Sequence, residues 1–277
     1  FKYCKKRKIE FMSTAFDIKS LNFLTNKLKV KKLKIASGDI TDSPLLFAHA
    51  KTKKNIFLST GMSDVDDIEK ALKVLSLGFI DFPKRKISKE IHKDILNSIE
   101  IKKILKEKVT LLHCVSQYPA PFNEINLKSL EYLRKKFKLS IGYSDHSRGI
   151  SVPIAAVALG ATVIEKHFTL NKNLSGPDHK ASLNPKELKV LVKSIREVEK
   201  AKGVLKKNIM PCEISNRKVV RKSLFASKKI LKGEIFSEKN ISIKRPGGGI
   251  SPNRYWEMIG KKSKYDFLSG DYIKHDD

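Results

Sequence analysis

Side chains able to do chemistry recur at the ends of short apolar runs: Ser13-Thr14, Ser37-Gly38-Asp39, Ser59-Thr60-Gly61, His113 through Tyr118, Ser144-Asp145-His146 and Lys166-His167. Serine and threonine hydroxyls, glycine-exposed N–H groups and lysine ammonium groups are the donors that a phosphate or carboxylate needs. Lys34 stands inside an apolar run, where a buried ammonium requires a partner, and a bound anion would supply one. A pair of imidazoles from neighbouring strand ends could anchor a divalent metal, although a strand-end histidine can equally be a hydrogen-bonded packing residue. Cys114 reads as a small buried hydrophobe. Gly247-Gly248-Gly249, after Arg245-Pro246, lacks the spacing of a P-loop or dinucleotide fingerprint. The residues alone point to an enzyme acting on a phosphorylated or carboxylated small molecule.

Bringing these groups to one edge is a task for a parallel sheet, whose functional groups gather beyond the carboxyl ends of its strands. The chain has the matching rhythm. Apolar runs at 9–15, 33–39, 55–61, 109–114, 139–145 and 161–168 alternate with helical patterns, giving six βα units. A helix starts at Asp17, with Leu21, Leu24 and Leu28 on one face; Ser43-Pro44 reads as an N-cap and first-turn proline. The last helix opens with Asn184, Pro185 and the capping-box Glu187, and Gly203 follows its end. Residues 77–108 exceed what one helix requires and read as a charged surface insertion. An eight-unit barrel needs two more units, and the start at Phe1 in mid-pattern suggests that they lie upstream; a six-stranded open sheet is the competing architecture. After Gly203 short β-like runs (Ser223–Ser227, Glu234–Phe236, Ile241–Lys244, Tyr272-Ile273) alternate with glycine turns, which predicts a separate small β-rich domain.

Composition narrows the function classes. With 277 residues, 40% of them hydrophobic, the chain has enough apolar material for a sizeable core, so wholesale disorder is excluded. No run of 18 apolar residues is present to span a membrane, and FKYCKKRKIEF has no apolar signal segment. The net charge of +28 raises nucleic acid as a partner, but nine arginines against 48 lysines, spread along the chain, fit solvated faces better than base or phosphate recognition. Cys4, Cys114 and Cys212 form neither a disulfide framework nor a metal knuckle, which fits a reducing cytoplasm.

At Lys34–Asp39 (KIASGD), Leu58–Met62 (LSTGM), His113-Cys114, Tyr118–Pro121 (YPAP), Gly142–His146 (GYSDH), Glu165–Thr169 (EKHFT) and Gly176–Leu183 (GPDHKASL) the chain resembles the sialic acid synthases. Its end, with SLFASKKILKGE and IKRPGGG, resembles their antifreeze-like SAF domain. The resemblance implies a (β/α)8 TIM barrel lacking about its first two βα units, with a partial synthase domain at 1–205, a linker at 206–212 and a SAF domain at 213–277. It implies condensation of phosphoenolpyruvate with N-acetylmannosamine to N-acetylneuraminate and phosphate. Use of 2,4-diacetamido-2,4,6-trideoxymannose to make legionaminate is the alternative, as is an inactive fragment that only binds carbohydrate. The implied metal ligands are His146 and His167, for Mn2+, Mg2+ or Co2+. Phosphoenolpyruvate contacts would fall on Thr14, Lys34, Ser37, Ser59, Ser116 and Ser144, and sugar contacts on Asp39, Tyr118, Asp178 and Arg245. Lys34, Asp39 and Asp178 are the expected catalytic residues. Asp39 stands where some members carry Glu, and Ser116 where some carry Asn. A domain-swapped homodimer is implied, with no nucleic acid or membrane partner. A lyase using Lys166 as a Schiff base, a nucleic-acid binder and an independent ice- or glycan-binding C-terminal module are the competing readings.

Overall fold

The computed structural model describes residues 1–83 and 95–274, and the chain separates into two compact units, Phe1–Gly203 and Val204–Asp277. The first unit is built on five parallel strands: β1 Lys32–Ile35, β2 Asn55–Ser59, β3 Val109–Cys114, β4 Ser140–Asp145 and β5 Ile164–Lys166. Each pairs with the next in chain order, β1-β2-β3-β4-β5. A doubly wound open sheet reverses its strand order at a switch point; this sheet does not, and it is part of a TIM-type barrel. The register sets Leu58 beside Leu111, Cys114 beside Ser144, and Ser144 beside Glu165, so the carboxyl ends of neighbouring strands lie level.

Strands covered on both faces must be apolar on both faces. Leu58, Leu111, Leu112, Ile141 and Tyr143 are all at most 1% exposed. Helices Ser43–Lys51, Val65–Phe79, Ser129–Phe137, Ser151–Ala158 and Pro185–Ala201 supply the cover. The last one starts as the sequence suggests: Asn184 accepts from the Glu187 N–H at 2.9 Å, and Glu187 accepts from the Asn184 N–H at 2.9 Å. Asp17 caps helix Ile18–Asn22 by accepting from the Ser20 N–H at 2.7 Å.

Three expectations need correction. The run at 9–15 is not a strand: only Thr14 pairs, with Lys34 of β1, while Ile9 and Met12 are exposed, so it lacks the two-sided packing of a central parallel strand. Among the described residues five strands, not six, therefore make the sheet. The helix after β1 is capped by Asp42 rather than Ser43, because the Asp42 carboxylate reaches the Leu45 N–H at 3.0 Å and leaves Ser43 inside the first turn. The surface insertion expected at 77–108 is not one where the structure describes it. Residues 77–79 finish helix Val65–Phe79, and Ile99–Lys108 is a helix whose Ile101 and Leu105 join the core. Residues 84–94 lie outside the described residues.

The second unit has its own apolar core, including Leu224, Ile230, Phe236, Ile241, Ile250, Met258, Phe267 and Ile273. Helix Ile214–Val220 precedes an antiparallel pair, β6 Ser223–Ala226 and β7 Ile241–Lys244. The other two β-like runs contribute single pairings, Ile235 with Lys262 and Tyr272 with Phe225. Among the described residues no helix is long and apolar enough to cross a membrane.

Candidate active site

The carboxyl ends of β1 to β5 converge on a polar patch in the first unit. Lys34, on β1, is 7% exposed and places its Nζ 3.5 Å from Glu165 Oε2 on β5. Ser144, at the end of β4, donates its hydroxyl to the same Glu165 oxygen at 2.5 Å. Thr14 adds a backbone pairing to Lys34. The buried ammonium thus has one carboxylate partner, and Glu165 itself is partly open to solvent. The strand-end residues legible in the sequence omit Glu165, because that group begins one position later, at Lys166-His167. The signal was its register beside Ser144, which only the strand pairing reveals.

Next to this patch lies a tight hydroxyl cradle. The Gly61 N–H donates to Ser37 Oγ at 3.0 Å, and Ser37 Oγ lies 3.1 Å from Cys114 Sγ. A Cβ on Gly61 would sit 2.3 Å from Ser116 Oγ, 2.7 Å from Cys114 Sγ and 2.9 Å from Ser37 Oγ. Position 61 must therefore be glycine for the three side chains to close around it. Ser59 Oγ is buried without a hydrogen-bond partner among the described residues, as is Asp39 Oδ2. Buried polar atoms without partners are costly, and here they are groups that a ligand would satisfy. Burial raises the Asp39 carboxyl above the ordinary aspartate range, with Asp42 adding to the rise. Cys114 is buried as expected, but it also packs against the cradle.

Two imidazoles stand beside the cradle. His146 follows β4 and His167 follows β5, with ring centroids 5.4 Å apart. Side chains alternate faces along a strand, so Ser144 and His146 share one face, as do Glu165 and His167. His146 Nδ1 bonds the Val115 carbonyl at 2.6 Å, so that nitrogen carries the proton and Nε2 keeps its lone pair. Burial is the main cause that holds the His146 pKa below the usual histidine value, favouring the neutral, ligand-competent ring. His167 Nδ1 lies 3.6 Å from Asp178 Oδ2. The Tyr118 ring packs on both imidazoles, 4.1 Å from His146 and 5.4 Å from His167 between centroids. Burial also raises the Tyr118 phenol above its normal pKa. The pair fits a divalent cation as two of its ligands; among the described residues no cluster of three His, Cys, Asp or Glu side chains forms a complete cage. His113, the third strand-end histidine, is a packing residue: its Nε2 bonds the Ile125 carbonyl at 2.8 Å.

Arg245 lies in the second unit, where its Nε donates to the Val220 carbonyl at 2.8 Å. Lys166 does not suit a Schiff base: it is ion-paired to Asp145 Oδ2 at 2.6 Å, with side chains 4% and 0% exposed. A locked ammonium of this kind is not a free amine nucleophile.

A partial TIM-type barrel with a buried lysine, an unsatisfied hydroxyl and two imidazoles at its strand ends defines an α/β enzyme acting on a small anionic substrate. The NeuB family model matches residues 1–207 and the SAF domain model matches residues 221–277. The chain belongs to the NeuB family, and it is a transferase of the kind that condenses phosphoenolpyruvate to make sugar acids. It is 48% identical over 272 residues to the N,N'-diacetyllegionaminic acid synthase of Campylobacter jejuni, covering 98% of this chain and 74% of that protein. It is 32% identical over 263 residues to the human N-acetylneuraminate-9-phosphate synthase, covering 94% of this chain and 66% of that one. Among solved structures, the N-acetylneuraminic acid (sialic acid) synthetase of Leptospira borgpetersenii matches with a TM-score of 0.63 and 34% identity. That match covers 78% of this chain and 66% of the other.

Proposed function

We propose that the protein condenses phosphoenolpyruvate with a 2,4-diacetamido-2,4,6-trideoxy sugar of the mannose type, giving N,N'-diacetyllegionaminate and inorganic phosphate. The observation that carries this choice over N-acetylmannosamine is the difference in identity. The chain is 48% identical to a legionaminic acid synthase and 32% identical to a neuraminate-9-phosphate synthase, over similar spans.

In this reading Lys34 and the hydroxyls of Ser37, Ser59, Ser116 and Ser144 hold the phosphate and carboxylate of phosphoenolpyruvate, with Thr14 beside them. Ser59 Oγ, buried and unpartnered among the described residues, gains its hydrogen bond when the anion binds. Glu165 keeps the Lys34 ammonium oriented while the site is open. Asp39 and Asp178 accept from the sugar's polar groups, and Tyr118 forms an aromatic wall against it. His146 and His167 would hold a divalent cation, which when bound supplies Lewis-acid polarisation of the sugar aldehyde. The methylene carbon of phosphoenolpyruvate attacks the aldehyde carbon of the open-chain sugar, forming the new C–C bond. Water adds at the resulting cationic carbon, and phosphate leaves with cleavage of its C–O bond. Preorganised donors at the phosphate lower the barrier because they need no reorganisation as charge develops.

The test follows phosphate release with phosphoenolpyruvate and each sugar in turn, with Mn2+ present. The diacetamido sugar is expected to give the higher kcat/KM by at least about tenfold, the size of difference that one pocket contact of about 1.4 kcal/mol creates. Equal or better turnover with N-acetylmannosamine would reject this choice of sugar.

A further inference from the structure

The side chains directly behind the two imidazoles form a second, fully enclosed polar system that no contact with substrate explains. Lys166 Nζ donates to Asp145 Oδ2 at 2.6 Å and also to the Ser147 carbonyl. The other oxygen of the carboxylate, Asp145 Oδ1, accepts from the Ser147 N–H at 2.8 Å and from the Tyr143 hydroxyl at 3.2 Å. Burial raises the Tyr143 phenol well above its ordinary value, so it remains the donor. Both ionic side chains are closed to solvent, and both oxygens of the Asp145 carboxylate accept hydrogen bonds, while the Ser147 hydroxyl is buried without a partner among the described residues.

The connectivity matters more than the charge. Asp145 and Ser147 flank His146 in sequence, and Lys166 immediately precedes His167. The Ser147 peptide is gripped on both sides, its N–H by Asp145 and its carbonyl by Lys166. Strand β5 is only three residues long and pairs with β4 up to Asp145 beside Lys166, where regular pairing ends. The ion pair ties the strands at that last pairing, and the Lys166 bond to the Ser147 carbonyl carries the tie past His146. A buried ion pair is rarely retained for stability alone, since an apolar pair of the same volume is often as stable or better. What an ion pair of fixed geometry supplies is a defined distance between the elements that carry it.

We propose that Lys166 and Asp145 are positioning residues that set the separation and orientation of His146 and His167, and so tune the affinity of the pair for a divalent cation. The inference rests on the reading of the two histidines as metal ligands. Residues that hold metal ligands in place cost about 10–100-fold in metal affinity when removed. A residue that merely stabilised the fold would instead weaken every ligand of the site together.

The experiment measures Mn2+ binding to the metal-free full chain by calorimetry, and phosphoenolpyruvate binding in parallel, for the parent, His146→Ala and the double variant Lys166→Met with Asp145→Asn. The double variant removes both charges, so neither is left buried and unpaired. The expected result is a Mn2+ Kd raised about 10–100-fold with the phosphoenolpyruvate Kd within about threefold of the parent. An unchanged Mn2+ Kd, or a parallel loss of both ligands, would overturn the proposal. If the double variant does not unfold cooperatively, Lys166→Arg decides by the same comparison: its wider planar head must move the Ser147 peptide and weaken Mn2+ alone. Should the parent bind no Mn2+, or His146→Ala bind it as well as the parent, the ligand assignment fails first and the positioning role falls with it.

Discussion

Replacing Gly61 by alanine tests the hydroxyl cradle with a single carbon. The added Cβ would stand 2.3 Å from Ser116 Oγ, 2.7 Å from Cys114 Sγ and 2.9 Å from Ser37 Oγ. Ordinary carbon contacts begin near 3.5 Å, so all three side chains must retreat, Ser116 by roughly 1 Å. Forcing an extra methyl into a closed site typically costs about 1–3 kcal/mol of stability. Ser37 is also the acceptor for the Gly61 N–H, so its displacement removes that bond and moves its oxygen off the expected position of the phosphoenolpyruvate anion. A hydrogen bond to a charged group contributes about 1.5–3 kcal/mol. The predicted loss of phosphoenolpyruvate affinity is therefore about 10–150-fold, since 1.4 kcal/mol is a factor of ten. The assay is a calorimetric Kd for phosphoenolpyruvate beside a urea unfolding curve. A folded Gly61→Ala protein that binds phosphoenolpyruvate within about twofold of the parent would show that the cradle does not touch the anion.

Ser59→Ala removes a buried hydroxyl that has no partner among the described residues, so stability is expected to hold or rise slightly while phosphoenolpyruvate affinity falls about fivefold, for about 1 kcal/mol; unfolding midpoints and binding titrations check the two halves separately. Asp42→Ala deletes the cap of helix Ser43–Lys51 and should cost about 0.5–2 kcal/mol by urea denaturation, while Ser43→Ala should cost much less. His49 is fully buried and desolvation holds its pKa below the ordinary histidine value. The unfolded chain then takes up a proton that the folded one refuses, so the stability contribution is complete above about pH 6.5 and is lost as pH falls from there through the lowered folded pKa. Unfolding curves between pH 8 and 5 should show this decline, and His49→Gln should flatten it; an equally steep decline in the variant would assign it to other groups.

The parts of the fold set by local chemistry were readable in the sequence. Asn184 and Glu187 announce a helix start because each side chain satisfies an N–H of the first turn, bonds that the structure shows, and Pro185 fits there because it has no N–H to satisfy. The strand-end residues were readable for the same reason: an apolar run followed by Ser, Gly or His places the polar group at the end of a strand. What escaped depends on neighbours distant in the chain. Glu165 matters because register sets it beside Ser144 and within reach of Lys34, 131 positions away. Cys114 looked like filler until Ser37 and Gly61 closed on it. The run at 9–15 has strand composition, yet pairing requires a neighbouring backbone in register, and only Thr14 finds one. Between Asp42 and Ser43 the sequence offers two good caps, and backbone geometry rather than residue type selects the first.

A single face of the sheet carries both the proposed anion site and the imidazole pair. Ser144 and His146 are two positions apart, a spacing of about 7 Å along an extended backbone. With Mn2+ added to the protein and phosphoenolpyruvate in exchange, phosphorus NMR relaxation reads the distance between the metal and the substrate's phosphorus. Strong relaxation, abolished by His146→Ala although phosphoenolpyruvate still binds, is the predicted result. Relaxation no greater than that of free phosphoenolpyruvate in the same Mn2+ solution would contradict the account.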